Sequence, residues 1–296
     1  MIRKSKVEVI CKRLDVGLIS YKFLAKGNHN INYLVKTSKG NFLLRIENNK
    51  QFKNLKKEYN LLRSLKEGIA PKVSLFDNSH KILSTDYLIE EFIEGNHPSK
   101  NSTDNFVIIM AKWFKELHNN TKKSKNYSVK TAVKPYYKNY LKYRRHIRDQ
   151  ILSKKLDIYM NQTLKICKEN DKLFSNIKTL SLLHNDSSRE NIFYYKDKVK
   201  LIDWEFATYG LPEREIVYFF DSYDLTDKQI KLFLESYGYP NNRIAKKKLE
   251  IQYITLLCSS IGYSLWRLDL VKDRKSRKEI NKRLSRDIKL LSGKVS

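Results

Sequence analysis

The sequence predicts an α+β fold in two lobes: a small antiparallel β-sheet carrying one helix, then a larger and mainly helical part. Residues 1–95 alternate β-branched or aromatic residues with polar ones, which is typical of half-buried strands. Residues 96–296 carry apolar residues at helical spacing, interrupted by one β-like segment at 179–204. A chain of 296 residues is long enough for two lobes of ordinary size.

The first lobe is predicted to contain a sheet and a single helix. A helix is expected over 54–67, with Leu55, Tyr59 and Leu62 on one face and Gly68 as its end. Alternation predicts strands over 18–25, 31–37, 41–47, 73–76 and 87–92. The second and third of these are expected to be joined by a hairpin at 38–40.

The second lobe is predicted to be built from helices. Apolar residues at helical spacing predict a helix over 104–118. Residues 226–229 match a capping box, and Gly238 is expected to end the helix that begins there. Two long helices, over 243–271 and 275–291, are expected to close the chain.

The chain is strongly basic, with 59 Lys and Arg against 32 Asp and Glu and a formal net charge of +27. Such a charge suggests nucleic-acid binding, yet the basic residues are spread along the whole chain and no RNP, zinc-finger or helix-turn-helix pattern accompanies them. We therefore expect a solvated basic surface and no dedicated nucleic-acid site. The Lys-rich stretch 121–134 is predicted to be a flexible loop.

Cysteine usage and hydropathy predict a cytoplasmic protein. Cys11, Cys167 and Cys258 are far apart and form no C-x-x-C pair, which favours reduced thiols over disulfides or a zinc site. No apolar run approaches the roughly 18 residues that a membrane span needs. The N-terminal stretch is basic and lacks an apolar core, so no secretory signal is expected.

The β-like segment holds the residues that predict chemistry. Residues 183–193 read LHNDSSRENIF and contain H-x-D-x-x-x-x-N, the spacing of a kinase catalytic loop. Phosphoryl transfer needs a carboxylate to accept the proton of the attacking hydroxyl, a role that fits Asp186. Asn191 and Asp203, the latter in the motif IDWE, are predicted to bind Mg²⁺, which prefers a few protein oxygens completed by phosphates and water. A turn with a buried His and a capping Asp is the structural alternative.

Two features of the first lobe suggest a nucleotide site. Residues 26–30 lie between the first two strands, where a loop that covers phosphates belongs, although an ordinary hairpin turn fits a single Gly equally well. Arg45 lies on the third strand, where a kinase keeps its phosphate-binding Lys, and Glu58 on the next helix is its expected partner. A surface ion pair without a role in binding is the alternative.

Taken in order, these motifs resemble those of the aminoglycoside phosphotransferase and choline kinase superfamily, which has a protein-kinase-like fold, along nearly the whole chain. Residues 26–33 are similar to its G-G-x-x-N-x-x-Y loop, 88–95 to its hinge, and 113–118 to its first large-lobe helix. Lys26 replaces the first Gly of the loop, and Glu215 lies where the family often has Asp. Nothing resembles an A-P-E motif, which argues against a protein kinase.

The resemblance implies an ATP- and Mg²⁺-dependent enzyme with a nucleotide-binding lobe at 1–95 and a helical lobe at 96–296 that holds the catalytic loop and acceptor site. Its hinge places the adenine near residues 91–94. The nucleotide-binding residues that it implies are Gly27, Asn28, Asn30, Arg45, Glu58, Glu91, Phe92 and Ile93.

We therefore expect a small-molecule kinase that transfers the γ-phosphate of ATP to a hydroxyl of choline or ethanolamine, an aminoglycoside or a sugar-like acceptor. The candidate acceptor residues are Glu205 in the IDWE motif and the pair Tyr263 and Trp266. The two aromatic residues are chosen because choline kinases hold a quaternary ammonium against aromatic faces. Packing of both rings in the helical core is the alternative. A nucleotide-binding pseudokinase and a basic nucleic-acid binder are the other functions consistent with the sequence.

Overall fold

The computed structural model describes residues 2–27, 29–48, 54–99, 102–124, 127–147 and 149–295. The chain groups into two compact units, one of Met1–Asn120 with His184–Thr208 and one of Thr121–Leu183 with Tyr209–Ser296. The first unit therefore contains both the N-terminal sheet and the predicted catalytic segment. The division into functional lobes at 1–95 and 96–296 stays a prediction.

The elements are numbered in chain order. The strands are β1 Leu18–Lys26, β2 Asn30–Thr37, β3 Gly40–Glu47, β4 Val73–Asp77, β5 Tyr87–Glu91, β6 Thr121–Lys123, β7 Thr179–Leu183, β8 Ile192–Tyr195, β9 Lys198–Leu201 and β10 Thr208–Gly210. The helices are α1 Lys4–Arg13, α2 Leu55–Leu62, α3 Asp104–His118, α4 Val129–Ala132, α5 Lys134–Tyr143, α6 Gln150–Glu169, α7 Pro212–Tyr223, α8 Asp227–Tyr237, α9 Arg243–Leu270 and α10 Arg274–Val295.

A five-stranded sheet organises the first unit, with strand order β1-β2-β3-β5-β4 and antiparallel pairing throughout. This confirms the predicted sheet. Side chains alternate between its faces, so Leu44 on β3 packs in an apolar core with Tyr33 and Ile89. Arg45, the next residue, belongs to the opposite face, and the β3–β5 register pairs Leu43 with Glu90. The candidate site forms on this second face.

The helix α1 was not assigned from the sequence. Val7, Ile10 and Cys11 are buried and pack in the same apolar core as the sheet. Their spacing is the i, i+3, i+4 pattern of a helix face, so the signal was present within a stretch that is otherwise basic. Arg13 in its last turn forms an ion pair with Asp77 on β4. The sheet therefore carries a second helix besides α2.

The helix α2 is shorter than the predicted helix over 54–67 and ends at Leu62. The Oγ of Ser64 donates a hydrogen bond to the carbonyl oxygen of Leu61 at 2.7 Å, which offers the backbone an alternative to a further helical turn. The helix packs against β4, β5 and the short 3₁₀ helix Trp204–Phe206. This position places Glu58 on the second face of the sheet.

The long helix α9 is central to the second unit and packs against α5, α6, α7 and α10. Its residues Leu257, Ile261 and Leu265 are buried in the core of this unit. The predicted capping box at Thr226 is present, and Gly238 ends α8 in the left-handed conformation, so both predictions are confirmed.

The prediction of a flexible loop over 121–134 was wrong for the residues that the structure describes. Here β6 pairs with β7, and α4 begins after Ser128, whose Oγ donates to Asp171 at 2.9 Å. Val129 and Val133 are fully buried in the core of the second unit. Val129 and Val133 lie one helical turn apart, and burial of their apolar area favours an ordered helix even though Lys residues are abundant around them.

The three cysteines are buried and free, in keeping with the predicted reduced thiols. In the described ranges, no helix combines the length and the apolar character that crossing a membrane requires.

Candidate active site

Arg45 lies at the centre of a buried group of charges on β3. Its Nη1 lies 2.5 Å from Glu58 Oε1 and 3.6 Å from Glu90 Oε1, and its Nη2 lies 3.3 Å from Asp203 Oδ1. Arg45 is 4% exposed and Glu58 1%, so the predicted pair exists and is not a surface ion pair. Glu58 Oε1 also accepts a hydrogen bond from the backbone N–H of Trp204 at 3.1 Å.

Three carboxyl groups face one guanidinium in this group, so acidic groups are in excess. Burial raises the pKa of Glu90 to about 8, with Glu58 and Asp203 adding to the effect and Arg45 opposing it. Burial likewise raises the pKa of Asp203. Burial works to lower the pKa of Arg45, but the three carboxylates raise it above its ordinary value. Perturbed carboxyl groups of this kind cluster at functional sites.

A cavity of about 290 Å³ opens onto this group within the first unit. Most of its lining residues have polar side chains, and its two aliphatic side chains are Leu43 and Ile202. The lining residues are Gly27, His29, Asn30, Asn32, Leu43, Arg45, Glu90, Ile202, Asp203 and Glu205. Predicted nucleotide and metal residues from distant parts of the sequence therefore meet at one cavity.

The turn between β1 and β2 lies at the edge of this cavity. The backbone N–H of Gly27 donates to the carbonyl oxygen of Asn30 at 2.8 Å. A Cβ at Gly27 would meet that oxygen at an ordinary 3.5 Å, so the fold itself tolerates a side chain there. With its amide oriented to satisfy both atoms, Asn30 accepts from Arg45 Nη2 at 3.1 Å. The predicted residue Asn28 lies outside the described residues.

The same turn contains a contact that the sequence did not predict. The Nδ1 of His29 lies 2.6 Å from Oε2 of Glu205, which joins the turn to the segment after Asp203. Both side chains are largely buried. Glu205, predicted as an acceptor residue, is therefore engaged by His29.

The predicted catalytic loop is held in place by His184, which is fully buried. Its Nε2 lies 3.0 Å from the carbonyl oxygen of Ile202, and its Nδ1 accepts from the backbone N–H of Asp186 at 3.3 Å. One nitrogen must donate and the other must accept, so these contacts fix one neutral tautomer. The ring also packs edge-on against Trp204 at 4.6 Å. His184 is therefore buried, as in the alternative of a structural turn, and it also positions the backbone at Asp186.

Asn191 connects the candidate base to the candidate metal ligands. Its Nδ2 donates to the Oδ2 of Asp186 at 2.8 Å and to the carbonyl oxygen of Asp186 at 3.0 Å. Its own carbonyl oxygen accepts from the N–H of Ile202 at 2.9 Å, next to Asp203. Because the amide nitrogen is committed to Asp186, the amide oxygen is the atom left to bind a cation.

Asp203 is the second candidate metal ligand. It adopts the left-handed conformation, with φ 65° and ψ 67°, between β9 and the 3₁₀ helix that follows. In the part of the chain that the structure describes, no group of three or more His, Cys, Asp and Glu residues is arranged to hold a metal. The oxygens of Asn191 and Asp203 nevertheless fit Mg²⁺, which takes few protein ligands and completes its shell with phosphate and water.

The predicted hinge lines a second cavity of the first unit, of about 350 Å³. Glu91 accepts from Lys200 Nζ at 2.6 Å and from the backbone N–H of Lys72 at 3.1 Å. Its carboxylate is therefore neutralised within the protein. Phe92 and Ile93 line the cavity with Phe193 and Tyr195, so it offers aromatic and aliphatic surface.

Tyr263 and Trp266 lie on α9 in the second unit. Their ring centroids are 5.4 Å apart and the planes are tilted by 49°. Trp266 is half-buried and packs against the helical core, whereas Tyr263 is 43% exposed. Their role in acceptor binding stays a prediction.

Comparison with known proteins identifies the family. The phosphotransferase enzyme family (APH) matches residues 20–246, which is most of the chain. The chain belongs to this family. It is therefore a phosphotransferase, and both the enzyme class and the resemblance predicted from the motifs are confirmed.

Individual relatives agree with this assignment. The LicA homolog of Mycoplasma capricolum is 25% identical over 237 residues, which cover 79% of this chain and 87% of that protein. Choline kinase LicA from Streptococcus pneumoniae has a similar structure, with TM-score 0.70, 19% identity and coverage of 98% of this chain and 100% of that one. The ADP-bound aminoglycoside phosphotransferase APH(2″)-Ib is also similar, with TM-score 0.66 and 17% sequence identity. The match covers 97% of this chain and 97% of that one. These likenesses confirm the predicted protein-kinase-like fold.

Proposed function

We propose that this protein is an ATP-dependent kinase that transfers the γ-phosphate to a hydroxyl group of a small molecule. The observation that carries the proposal is the position of Asp186, whose carboxylate is held by Asn191 in the same compact unit as Arg45 and Asp203. Family membership supports the reaction class. An arrangement that only stabilised the fold would not need an acidic side chain left half-buried beside other acids.

In this proposal, Asp186 accepts the proton of the acceptor hydroxyl as the new bond to phosphorus forms. The side chain of Asn191 orients its carboxylate, and His184 fixes its backbone. The reaction gains most from positioning and from charge stabilisation, because the transferred phosphoryl group needs little covalent help.

Asn191 and Asp203 are proposed to hold Mg²⁺, which supplies positive charge to the phosphate oxygens when bound. Arg45 turns its Nη1 edge towards Glu58 and Glu90. Its Nη2 edge faces Asp203 and the first cavity, where it is available to a phosphate oxygen. The carboxylates thus orient the guanidinium as well as neutralising it.

The triphosphate is proposed to lie against Gly27, Asn30 and Arg45, with the hinge Glu91–Ile93 beside the nucleoside. Support comes from the cavity that the first three residues share and from a structural relative described as ADP-bound. A role for Asn28 in the same turn remains a prediction.

The acceptor is proposed to be choline or ethanolamine. Two relatives carry the name LicA, and one of them is described as a choline kinase. The adjacent rings of Tyr263 and Trp266 offer π-faces of the kind that attract a quaternary ammonium. We expect Trp266→Leu to weaken acceptor binding about tenfold without changing nucleotide affinity, since one such contact is worth roughly 0.5–2 kcal/mol.

An ADP-release assay over choline, ethanolamine, aminoglycosides and simple sugars tests both levels of the proposal. Release with choline or ethanolamine is expected. Release with aminoglycosides or sugars and none with choline would overturn the acceptor but keep the kinase. Nucleotide binding with no release for any acceptor would favour a pseudokinase.

A further inference from the structure

One side chain of the turn between β1 and β2 contacts the segment that follows Asp203. The Nδ1 of His29 lies 2.6 Å from the Oε2 of Glu205, although the two residues are 176 positions apart in the chain. Their side chains are 21% and 9% exposed, and both line the first cavity. Water competes little for a hydrogen bond at this depth, and a bond to a carboxylate is among the stronger ones. The contact therefore fixes the turn to this segment.

The remaining attachments of the turn run to the sheet. The backbone N–H of Gly27 donates to the carbonyl oxygen of Asn30 at 2.8 Å, and the N–H of Asn48 after β3 donates to the carbonyl oxygen of His29 at 2.7 Å. Glu205 lies outside the five-stranded sheet, in the 3₁₀ helix that follows Asp203. The side chain of His29 thus connects the turn to the segment that carries a candidate metal ligand, which these backbone bonds do not.

The contact needs an N–H on the imidazole. The oxygens of an ionised carboxylate only accept hydrogen bonds, so Nδ1 of His29 is the donor and Oε2 of Glu205 is the acceptor. A neutral ring with its hydrogen on Nδ1 and an imidazolium both supply this N–H. A side chain of similar shape without an N–H would therefore keep the packing and lose the contact.

The position of Glu205 gives this contact a consequence for anion binding. The first cavity already contains the group in which three carboxyl groups face the one guanidinium of Arg45. A further carboxylate that was free to turn into the cavity would repel phosphate oxygens, since like charges are screened little in a largely buried site. The N–H of His29 holds an oxygen of Glu205 and so restrains this carboxylate.

We propose that His29 is a positioning residue for the β- and γ-phosphates of the nucleotide. By holding Glu205, it closes the turn between β1 and β2 against the segment that carries Asp203 and keeps a carboxylate away from the phosphate oxygens. This inference rests on the proposed nucleotide binding. It predicts that His29 affects the affinity for the triphosphate and leaves the affinity for the nucleoside part, which is proposed to lie at the hinge, unchanged.

Calorimetry with ATP and AMP in the presence of Mg²⁺, without an acceptor, tests the proposal. His29→Phe keeps a ring and removes the N–H, so it should weaken ATP binding about tenfold while AMP binding stays within about twofold, because one hydrogen bond to a charged group is lost beside the outer phosphates only. An unchanged ATP affinity, or an equal loss for ATP and AMP, would overturn the inference. If the wild type binds neither nucleotide, the proposed function fails as well, so the two failures are distinguishable.

Two further variants of the same position and a matched control separate positioning from a general loss of structure. His29→Asn offers an amide N–H near the place of Nδ1 and should keep ATP affinity within about threefold of the wild type. The control is His146→Phe, which breaks a contact of the same kind in the second unit, where Nε2 of an equally exposed His lies 3.0 Å from Asp269. It should leave both affinities unchanged. Thermal unfolding verifies that each variant folds.

A double-mutant cycle assigns the effect to the contact with Glu205. If His29 acts through this carboxylate, adding His29→Phe to Glu205→Met should change ATP affinity by less than about twofold, because the partner is already gone. The four proteins of the cycle are measured by the same calorimetry. A full loss of ATP affinity from His29→Phe in the Glu205→Met background would refute the inference.

Discussion

Each compact unit contains a cluster of charged side chains, and the two clusters differ in how their charges are balanced. The Arg45 cluster consists of Arg45, Glu58, Glu90 and Asp203. The Arg286 cluster consists of Arg283, Arg286, Asp221 and Asp287. In the Arg286 cluster two cations meet two carboxylates. In the Arg45 cluster one cation meets three carboxyl groups, one of which, Glu90, has a pKa raised to about 8.

The Arg286 cluster is explained by the fold alone. Arg286 on α10 holds Asp221 on α7 through both oxygens, at 2.7 and 3.0 Å. Asp287 accepts from the hydroxyl of Ser260 on α9 at 2.6 Å. The cluster thus links three helices with matched partners. Because the protein itself supplies these partners, the cluster is explained as a structural link between helices.

The Arg45 cluster is different because Glu58 Oε2 and Glu90 Oε2 are buried and have no partner in the described chain. Taking charges out of water is costly, and an unbalanced group does not recover that cost by itself. The comparison indicates that unmatched charge and unpaired oxygens, more than the number of ion pairs, mark a place where a ligand belongs.

The largest effect is expected at Asp186. Asp186→Asn should lower kcat by 10²–10⁴-fold, the range typical of a lost general base, while nucleotide affinity stays within a few-fold. Steady-state kinetics and calorimetry measure the two quantities separately. The matched control, Asp221→Asn in the Arg286 cluster, should leave kcat unchanged. A rate above one tenth of the wild type in Asp186→Asn would remove this residue from the mechanism.

Next in size is the contrast between the two arginines. Arg45→Met removes the cation from three carboxylates and should lower the free energy of unfolding by about 3–5 kcal/mol, besides raising KM for ATP more than KM for the acceptor. Arg286→Met should cost about 1 kcal/mol or less, since this pair is partly exposed, and should leave both KM values unchanged. Urea unfolding measures the loss of stability in each variant, and steady-state kinetics measures the KM values. If both variants lose the same stability and show the same KM changes, the two clusters do not differ in the way described.

A smaller effect is expected at the metal ligands. Asn191→Ala and Asp203→Asn should each move the half-maximal Mg²⁺ concentration upwards by about tenfold or more, because even residues that only support metal ligands cost this much when changed. Activity is measured against Mg²⁺ concentration at saturating ATP. Curves that overlay the wild type for both variants would show that the assignment of these ligands is wrong.

The last prediction concerns pH. The pKa of Glu90 is raised to about 8, so between pH 5 and 8 the folded protein keeps a proton that the unfolded chain has lost. Raising the pH through this window therefore destabilises the wild type, by at most about 1.4 kcal/mol per pH unit. Glu90→Gln does not titrate, so its stability relative to the wild type should rise with pH.

Urea unfolding at several pH values between 5 and 8 measures this difference. Asp77→Asn is the control, because hydrogen bonds from Arg13 and Ser79 hold the pKa of Asp77 below its ordinary value even though burial opposes this. Its difference from the wild type should be constant over the window. A constant difference for Glu90→Gln as well would show that Glu90 is ionised in the folded protein.

Features that depend on local periodicity could be predicted from the sequence. The alternation that predicted β3 also placed Arg45 on a defined face, and the spacing of His184, Asp186 and Asn191 pointed to three residues that contact one another in the structure. Failures arose where composition hid a short pattern, as at α1 and at Val129 in the Lys-rich stretch. In each case a few buried apolar residues decided the structure.

Other features depend on contacts between distant parts of the chain, which one sequence does not reveal. The importance of Glu90 follows from the register of β3 and β5, from the reach of Arg45, and from an oxygen that nothing else satisfies. In the sequence alone, Glu90 is one acidic residue near the end of an apolar strand. The contact of His29 with Glu205 joins segments far apart in the chain and is equally invisible.

The left-handed backbone at Asp203 limits what can replace this residue. Among the twenty amino acids, Gly, Asn and Asp enter that conformation most readily, and most others incur a steric penalty. Of these three, only Asp also presents a carboxylate. Substitution by Glu, which conserves charge, would lose the favourable backbone, and substitution by Gly, which conserves the backbone, would lose the proposed Mg²⁺ ligand. The position therefore accepts one residue type for two independent reasons, and random mutagenesis with selection for activity should recover Asp203 almost without variation.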